Sequence, residues 1–360
     1  AQTEQIAEPP PPLFALLACA RRKFLLSSPA RRANSMATLG KARLQIGSTP
    51  DVIHDVCYDW YGRRMATSSS DQSIRVYDEV GQKESEWKAH AGSIWRLAWA
   101  HPEFGPILAS CSFDRKIIVW EERTDAAEAL PAPGRSAWRA RREIAAAHDS
   151  VTAVQFAPRR WGLVLASCSA DRYVRIHEAP DPMDLTNWLP LADFEVDANR
   201  ANAPQCLAWN PSSVDAMSLV VGTTDGSVAI WVCGDGGTWA RAHVLETTAG
   251  GKVHAAHLDR VNDVSWAADI GRSFHLVASA SRDKSVKVWT IQRDLGDGVS
   301  WGAPELSCEL PHHSQAWRAE WNACGAMLAT SVDDGTIRLY RMDATDGWNL
   351  VRPVPVPLHQ

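Results

Sequence analysis

His90, Ser110 and Asp114 supply the three side-chain types of an acyl-transfer triad: a hydroxyl nucleophile, a general base and an orienting carboxylate. His257, Ser279 and Asp283 repeat the set at similar separations. Recurrence changes its meaning, because an enzyme needs one active site rather than graded copies of one. Each set also closes on an indole, Trp120 or Trp289, six residues after the Asp. The expected chemistry is therefore mechanical. A turn Asp accepts backbone N–H bonds, an upstream His donates to it, and the Ser relays to the ring. Such a buried network stabilises when every member is satisfied.

Other reactive constellations are incomplete. Gly250-Gly251-Lys252 lacks the leading Gly and the hydroxyl residue of a phosphate loop, and neither G-x-S-x-G nor H-E-x-x-H occurs. Cys308 and His312, with His313 beside them, have no second ligand pair at zinc spacing, so His312 reads as one more upstream histidine. No catalytic, cofactor-binding or metal-binding residue is assigned, and no cofactor is expected.

The elements that must position these residues follow from a phrase that returns six times. It runs from Met65 to Asp71 and Tyr77, from Leu108 to Asp114 and Trp120, and from Leu165 to Asp171 and His177. It continues from Leu219 to Asp225 and Trp231, from Val277 to Asp283 and Trp289, and from Leu328 to Asp334 and Tyr340. After each Asp comes a period-two alternation such as Ile74-x-Val76, Ile117-x-Val119 or Ile337-x-Leu339, which predicts strand, tight turn, strand. Apolar runs such as Ile94–Trp99 and Ile53–Tyr58 precede each phrase, and Trp87, Trp138, Trp188, Trp239, Trp301 and Trp348 follow. Four strands per copy are thus expected. Successive turn Asp residues lie between 43 positions apart (Asp71 to Asp114) and 58 apart (Asp225 to Asp283), the period of a propeller blade. Sheets stacked between neighbours are buried on both faces, and most of the 17 Trp are expected to fill the gaps between them. Repeats 1 and 4 carry Thr49 and Arg200 where the histidine would stand, and repeat 3 closes on His177, so those blades are expected to be looser.

Composition narrows the partners. A formal charge of −5 offers no basic footprint for nucleic acid. Eight scattered Cys without C-x-x-C spacing suggest reduced thiols in an intracellular protein, and no apolar stretch reaches membrane-span length. Residues 1–47, with Pro9–Pro12 and an Arg/Ser-rich stretch, are expected to form a disordered extension, although the composition also resembles an organellar transit segment. Residues 48–352 are assigned to the propeller. Residues 353–360 are a Pro-rich tail, a poor candidate for further sheet.

The phrase, with Trp120-Glu121 and Tyr77-Asp78 as weakened Trp-Asp pairs, resembles the WD-repeat family, which implies an all-β, six-bladed WD-repeat β-propeller. Propellers commonly close by lending the first strand to the last blade. Here only Leu44-Gln-Ile46 precedes the first blade, and the last owns a strand at Trp348, so the ring is expected to be open between first and last blades. An open seam is a template for strand addition. Ile53, Val56, Ile74 and Val76 of blade 1, with Ile337 and Leu339 of blade 6, are candidates for its lining; ordinary core packing is an equal alternative.

Asp51-Val-Ile-His-Asp-Val56, Gly62–Asp71 and Trp99–Gly105 resemble the scaffold propellers of the Sec-thirteen and Seh type. Glu178–Trp188, Trp209–Ser213 and Gly271–His275 are closer to the Seh branch. That resemblance implies a subunit of the Y-shaped nuclear pore coat that accepts a seventh blade from an α-solenoid nucleoporin. It also implies other coat nucleoporins as partners, a place at the nuclear envelope, and service in a GATOR-type assembly signalling to TOR at the lysosome or vacuole. Three rivals remain. The sister coat propeller of vesicle transport is one, and a cullin ubiquitin-ligase receptor, whose box resembles Ile107–Arg123, is another. The third is a peptide-binding module using His54, Trp95-Arg96 and Trp317-Arg318 by cation–π contact.

Overall fold

The alternation that follows each turn Asp becomes the third strand of a four-strand antiparallel meander, and six such sheets follow one another along the chain. The structure, a computed structural model, describes residues 51–122, 137–197, 202–234, 236–249, 252–268, 270–293, 301–343 and 347–355. Blade 1 is β1 (Ile53–Tyr58), β2 (Met65–Ser69), β3 (Ser73–Tyr77) and β4 (Lys83–Lys88). Blade 2 is β5 (Ile94–Trp99), β6 (Ile107–Ser112), β7 (Ile117–Glu122) and β8 (Trp138–Ile144). Blade 3 is β9 (Val151–Phe156), β10 (Leu163–Ser169), β11 (Tyr173–Ala179) and β12 (Leu189–Glu195). Blade 4 is β13 (Pro204–Trp209), β14 (Ser218–Thr223), β15 (Val228–Cys233) and β16 (Trp239–Ala249), with β17 (Lys252–Ala255) pairing the far end of β16. Blade 5 is β18 (Val261–Trp266), β19 (Phe274–Ser281), β20 (Ser285–Arg293) and β21 (Trp301–Pro311). Blade 6 is β22 (Ala316–Trp321), β23 (Met327–Val332), β24 (Thr336–Met342) and β25 (Trp348–Pro355). The chain is a six-bladed β-propeller, and the described residues contain no α-helix.

Three local devices repeat in every blade. The residue after each turn Asp adopts a left-handed conformation: Gln72, Arg115, Arg172, Gly226, Lys284 and Gly335 have φ between 69° and 90°. Only two of the six are Gly, so four side chains occupy a region that disfavours them. Each first strand is bulged at its second residue, where His54, Trp95, Thr152, Gln205, Asn262 and Trp317 fall out of the ladder. Each third strand carries a second irregularity at its closing ring, between Val119 and Trp120 for instance. Bulges add local twist and re-aim side chains, here toward the central channel and the blade gaps.

Five apolar clusters fill the five gaps between consecutive blades. Between blades 1 and 2, Trp87 stacks on Trp138 at 5.5 Å and meets Trp120 at 5.4 Å. Fully burying one such large apolar side chain contributes about 1.5–3 kcal/mol, so these gaps dominate the energetics of the ring.

Two expectations need correction: that a Trp announces the fourth strand in all six copies, and that the Pro-rich tail adds no sheet. Trp87 lies near the end of β4, opposite Ile74, whereas Trp138, Trp239, Trp301 and Trp348 open their strands and Trp188 immediately precedes β12. The C-terminal sheet also continues into the Pro-rich tail, because Arg338 pairs with Pro353, Ile337 with Val354 and Thr336 with Pro355. Prolines two residues apart place both donor-less nitrogens on one edge, the outer one, which an edge strand tolerates. The expected extension at 1–47, the Leu44–Ile46 segment, Thr49 and Arg200 lie outside the described residues.

Candidate docking seam

The histidine networks have the geometry of relays. His90 Nδ1 lies 3.0 Å from Asp114 Oδ2, its Nε2 lies 2.7 Å from Ser110 Oγ, and Trp120 Nε1 donates to the same Oγ at 2.9 Å. In blade 5 the corresponding distances are 2.8 Å for His257 to Asp283, 2.8 Å for His257 to Ser279 and 3.0 Å for Trp289 to Ser279. One proton order satisfies all groups: indole N–H to Ser Oγ, Ser O–H to His Nε2, His Nδ1–H to Asp. Burial alone would raise the Asp114 pKa, but His90 and the N–H groups of Ala91 and Lys116 outweigh it and hold the carboxyl below its ordinary range. Ser110 and Ser279 are 0% exposed, so neither hydroxyl is open to a substrate.

Three of the remaining four blades use a different device, legible as Asp-x-x-x-Arg. In blade 1, Arg75 pairs with Asp71 at 2.5 Å; in blade 3, Arg175 pairs with Asp171 at 2.8 Å. In blade 6, Arg338 Nη1 donates to His312 Nδ1 at 2.7 Å, and its Nη2 lies 3.9 Å from Asp334 Oδ2. Burial, with Arg338 beside it, pushes the His312 pKa down to about 4. These are the three blades whose closing ring is Tyr77, His177 or Tyr340 rather than Trp. A guanidinium four residues after the turn Asp occupies the role that the histidine fills elsewhere. Blade 4 uses Asn202, whose Oδ1 accepts from the Asp225 N–H at 3.3 Å.

The gap from blade 6 back to blade 1 is built differently from the other five. Val56 packs with Tyr58, Met65 and Tyr77 in a cluster confined to blade 1. Strand parity places Ile53 on the same face, because its counterpart Ile94 faces the preceding blade. Parity likewise turns Ile337 and Leu339 away from blade 5, since their counterparts Ile117 and Val119 pack toward the following blade. Among the described residues, no apolar cluster joins blades 6 and 1. Ile74 and Val76, two of the seam candidates, pack instead with Ile94 and Leu108 of blade 2. They alternate with Arg75, and a shift of one residue along a strand reverses the face.

The inner rim of this gap is charged. Just after the bulge, the first strands carry Asp55, Arg96, Ala153, Cys206, Asp263 and Arg318 in blades 1 to 6. Arg318 Nη2 reaches Asp55 Oδ1 at 2.5 Å, joining blade 6 to blade 1, and its Nη1 lies 3.7 Å from Asp263. Arg96 crosses from blade 2 to Asp263 of blade 5 at 2.9 Å. Each Asp also holds the next blade: Asp55 accepts from the Leu97 N–H at 2.9 Å, and Asp263 from the Ala319 N–H at 3.2 Å. Burial raises the Asp55 pKa and pushes that of Asp263 up to about 6, against the opposing pull of Arg96. The neighbouring rings are engaged within the chain: His54 packs on Trp95 at 4.6 Å and bonds Ser70, while Trp317 donates to Asp333. Glu122, part of the adaptor-like box, is held by Arg64 of blade 1 through two hydrogen bonds.

Two segments read as Seh-like meet between blades 4 and 5. Asp215 Oδ2 lies 3.0 Å from His275 Nε2, 3.0 Å from Arg293 Nη2 and 3.2 Å from Asn210 Nδ2. Burial opposes ionisation of Asp215, yet His275, Ser212 and Asn210 together hold its pKa far below the usual carboxylate range. Sequence spacing gave no warning of this lock, because its two halves, Asn210 to Asp215 and His275 to Arg293, are 60 or more residues apart and belong to different repeats.

The WD domain, G-beta repeat family matches residues 42–78, 81–121, 251–290 and 304–341, which are repeats 1, 2, 5 and 6. Over 311 residues the chain is 40% identical to Nucleoporin SEH1 of Osmerus mordax, covering 83% of this chain and 82% of that one. It is 40% identical over 318 residues to Nucleoporin SEH1 of Homo sapiens, covering 83% and 84%. Among solved structures, a chain of "Crystal Structure of Mitotic Checkpoint Complex" superposes with a TM-score of 0.58 at 17% identity, covering 83% of this chain and 77% of that one. At that identity it shows the fold alone.

Proposed function

Because the chain belongs to the Nucleoporin SEH1 family of WD-repeat propellers, we propose that it is a non-enzymatic scaffold nucleoporin of the Y-shaped nuclear pore coat. In this reading the gap between blades 6 and 1 accepts a seventh blade from an α-solenoid nucleoporin. It thereby supports pore assembly and nucleocytoplasmic transport at the nuclear envelope. The same slot serves subunits of a GATOR-type complex at the lysosomal or vacuolar surface. Neither nucleic acid nor membrane insertion enters the proposal.

One observation carries the docking reading. Apolar clusters join each of the five consecutive blade pairs, whereas among the described residues none joins the Val56 and Met65 side of blade 1 to the Ile337 and Leu339 side of blade 6. In this reading a donated blade extends the main-chain ladders at the seam by strand addition. Ile53 and Val56 of blade 1, with Ile337 and Leu339 of blade 6, line this slot in the proposal.

Affinity purification of the tagged full chain from native extract, followed by mass spectrometry, tests it. Coat nucleoporins are the expected co-purifying proteins, lost in Val56→Asp and retained in Val214→Asp, a change on an exposed loop of blade 4. Vesicle-coat or cullin subunits in their place would overturn the pore assignment. Equal binding by both variants would overturn the seam.

A further inference from the structure

The four charges of the inner rim are distributed in a way that composition alone does not explain. Blades 3 and 4, farthest from the seam in ring order, carry Ala153 and Cys206 at the inner position. The charges occupy the four blades that flank the seam, two on each side, and each side has the same order along the chain: Asp263 then Arg318, and Asp55 then Arg96. Pairing is crosswise. Arg318 meets Asp55 over the seam, and Arg96 meets Asp263 across the channel.

We propose that Asp55, Arg96, Asp263 and Arg318 form a cross-brace that fixes the spacing of the first and last blades, doing electrostatically what a shared strand does in a self-clasped ring. This rests on the seam being the docking slot, and it names the residues that set the width of that slot. Two further features support it. Both carboxylates divide their oxygens between an arginine and the backbone N–H of the following blade, so moving either Asp shifts a neighbouring sheet. Asp55, Asp263 and Arg318 are also buried, where ion pairs are little screened by salt.

The brace depends on both carboxylates being ionised. Asp263 is faced by Arg96, Arg318 and Glu320, with Cys206 nearby, and it titrates near pH 6. Asp55 is faced by Arg96, Arg318 and His54. Below about pH 6, Asp263 becomes neutral and releases its hold on both arginines. Overall stability moves the opposite way. A buried Asp whose folded pKa lies above its unfolded value near 3.9 destabilises the fold increasingly as pH rises between the two. Acidification across that interval therefore loosens the seam while this group adds to global stability, a combination that general acid unfolding does not produce.

Electron–electron distance measurement between spin labels tests the brace on the full chain without any partner. Labels at Val80 in blade 1 and Leu350 in blade 6 report the seam; labels at Leu191 in blade 3 and Val214 in blade 4 report an apolar gap. All four side chains are exposed. Introducing the labels through non-natural amino acids leaves the free cysteines untouched. In Arg318→Met the seam distribution is expected to lengthen and broaden while the control pair stays fixed, and Arg318→Lys is expected to restore most of the wild-type distance. Wild type moved from pH 7.5 to pH 5 should shift the seam pair in the same direction, and Asp263→Asn should show that shift already at pH 7.5. An unchanged seam distance in Arg318→Met, or equal broadening of both pairs, would overturn the brace. Because no partner is present, failure of this experiment is separate from failure to recover coat nucleoporins from extract.

Discussion

Replacing Asp215 by Ala should destabilise the ring by about 3–5 kcal/mol, the usual cost of removing one partner from a buried ion pair. The magnitude follows from what is left behind. Asp215 is 3% exposed, and the substitution strips a partner from His275 Nε2, Arg293 Nη2 and Asn210 Nδ2 together. Arg293 keeps Ser212 Oγ at 3.1 Å, and Asn210 keeps Ser218 Oγ at 3.1 Å, so the loss is less than complete. Asp215→Asn preserves the shape and part of the bonding, and should cost about 1.5–3 kcal/mol, the value of hydrogen bonds to a charged group. The acid dependence supplies the sign. A carboxyl whose folded pKa is depressed adds stability that is fully present above its unfolded value near 3.9 and is lost as pH falls toward the folded pKa. The gap between wild type and Asp215→Asn should therefore be constant from pH 7 to about pH 5 and shrink below pH 4. Urea unfolding followed by tryptophan fluorescence measures it, because Trp266 and Trp301 pack on the His275 ring. A double-mutant cycle with His275→Ala should give a coupling of about 0.5–3 kcal/mol, as for residues in contact. Strict additivity, or a cost within the ±0.5 kcal/mol of an ordinary surface change, would refute the lock.

Three further outcomes follow from single blades. Ser279→Ala should cost about 1–3 kcal/mol because it leaves the buried Trp289 N–H and His257 Nε2 unmatched, whereas Thr330→Val at the same strand position of blade 6 should be neutral or stabilising in thermal unfolding. The Thr330 hydroxyl is 0% exposed and bonds no atom among the described residues, so removing it removes only a penalty. Arg175→Met should destabilise by about 1.5–3 kcal/mol at neutral pH by stripping Asp171 of its guanidinium. Burial resists the Asp171 charge while Arg175 and the His148 and Tyr173 N–H groups hold its pKa low, so this cost should fade below about pH 4, as pH–stability profiles of the two proteins would show. Lys284→Gly should raise the unfolding midpoint, worth up to about 1 kcal/mol, by relieving a side chain held at φ 70°.

What the sequence revealed and what it concealed divide along a physical line. Interactions confined to one repeat are written at fixed spacing, so the six first strands, the turn Asp and the His90–Ser110–Trp120 relay could all be located from residue order, though not the bulges in those strands. The arginines missed at Arg75, Arg175 and Arg338 belonged to the same class. Their spacing from Asp71, Asp171 and Asp334 is regular, and only attention to the histidine hid it. Face assignment was harder: nothing in the alternation separates Ile74 and Val76 from Ile337 and Leu339, and only their packing with Ile94 and Leu108 of blade 2 shows which way they face. Interactions between blades are of another kind. Asp215 with His275, Arg64 with Glu122 and Arg318 with Asp55 join residues whose separation depends on loop lengths and ring closure, so no local period records them. Yet those three contacts draw on Gly62–Asp71, Gly271–His275 and Asp51–Val56, segments whose sequence resembles the scaffold propellers. The repeat phrase specifies a blade, and blades of this kind occur in many propellers. What distinguishes this ring is how its blades are fastened to one another, and the irregular segments between the repeats supply those fastenings.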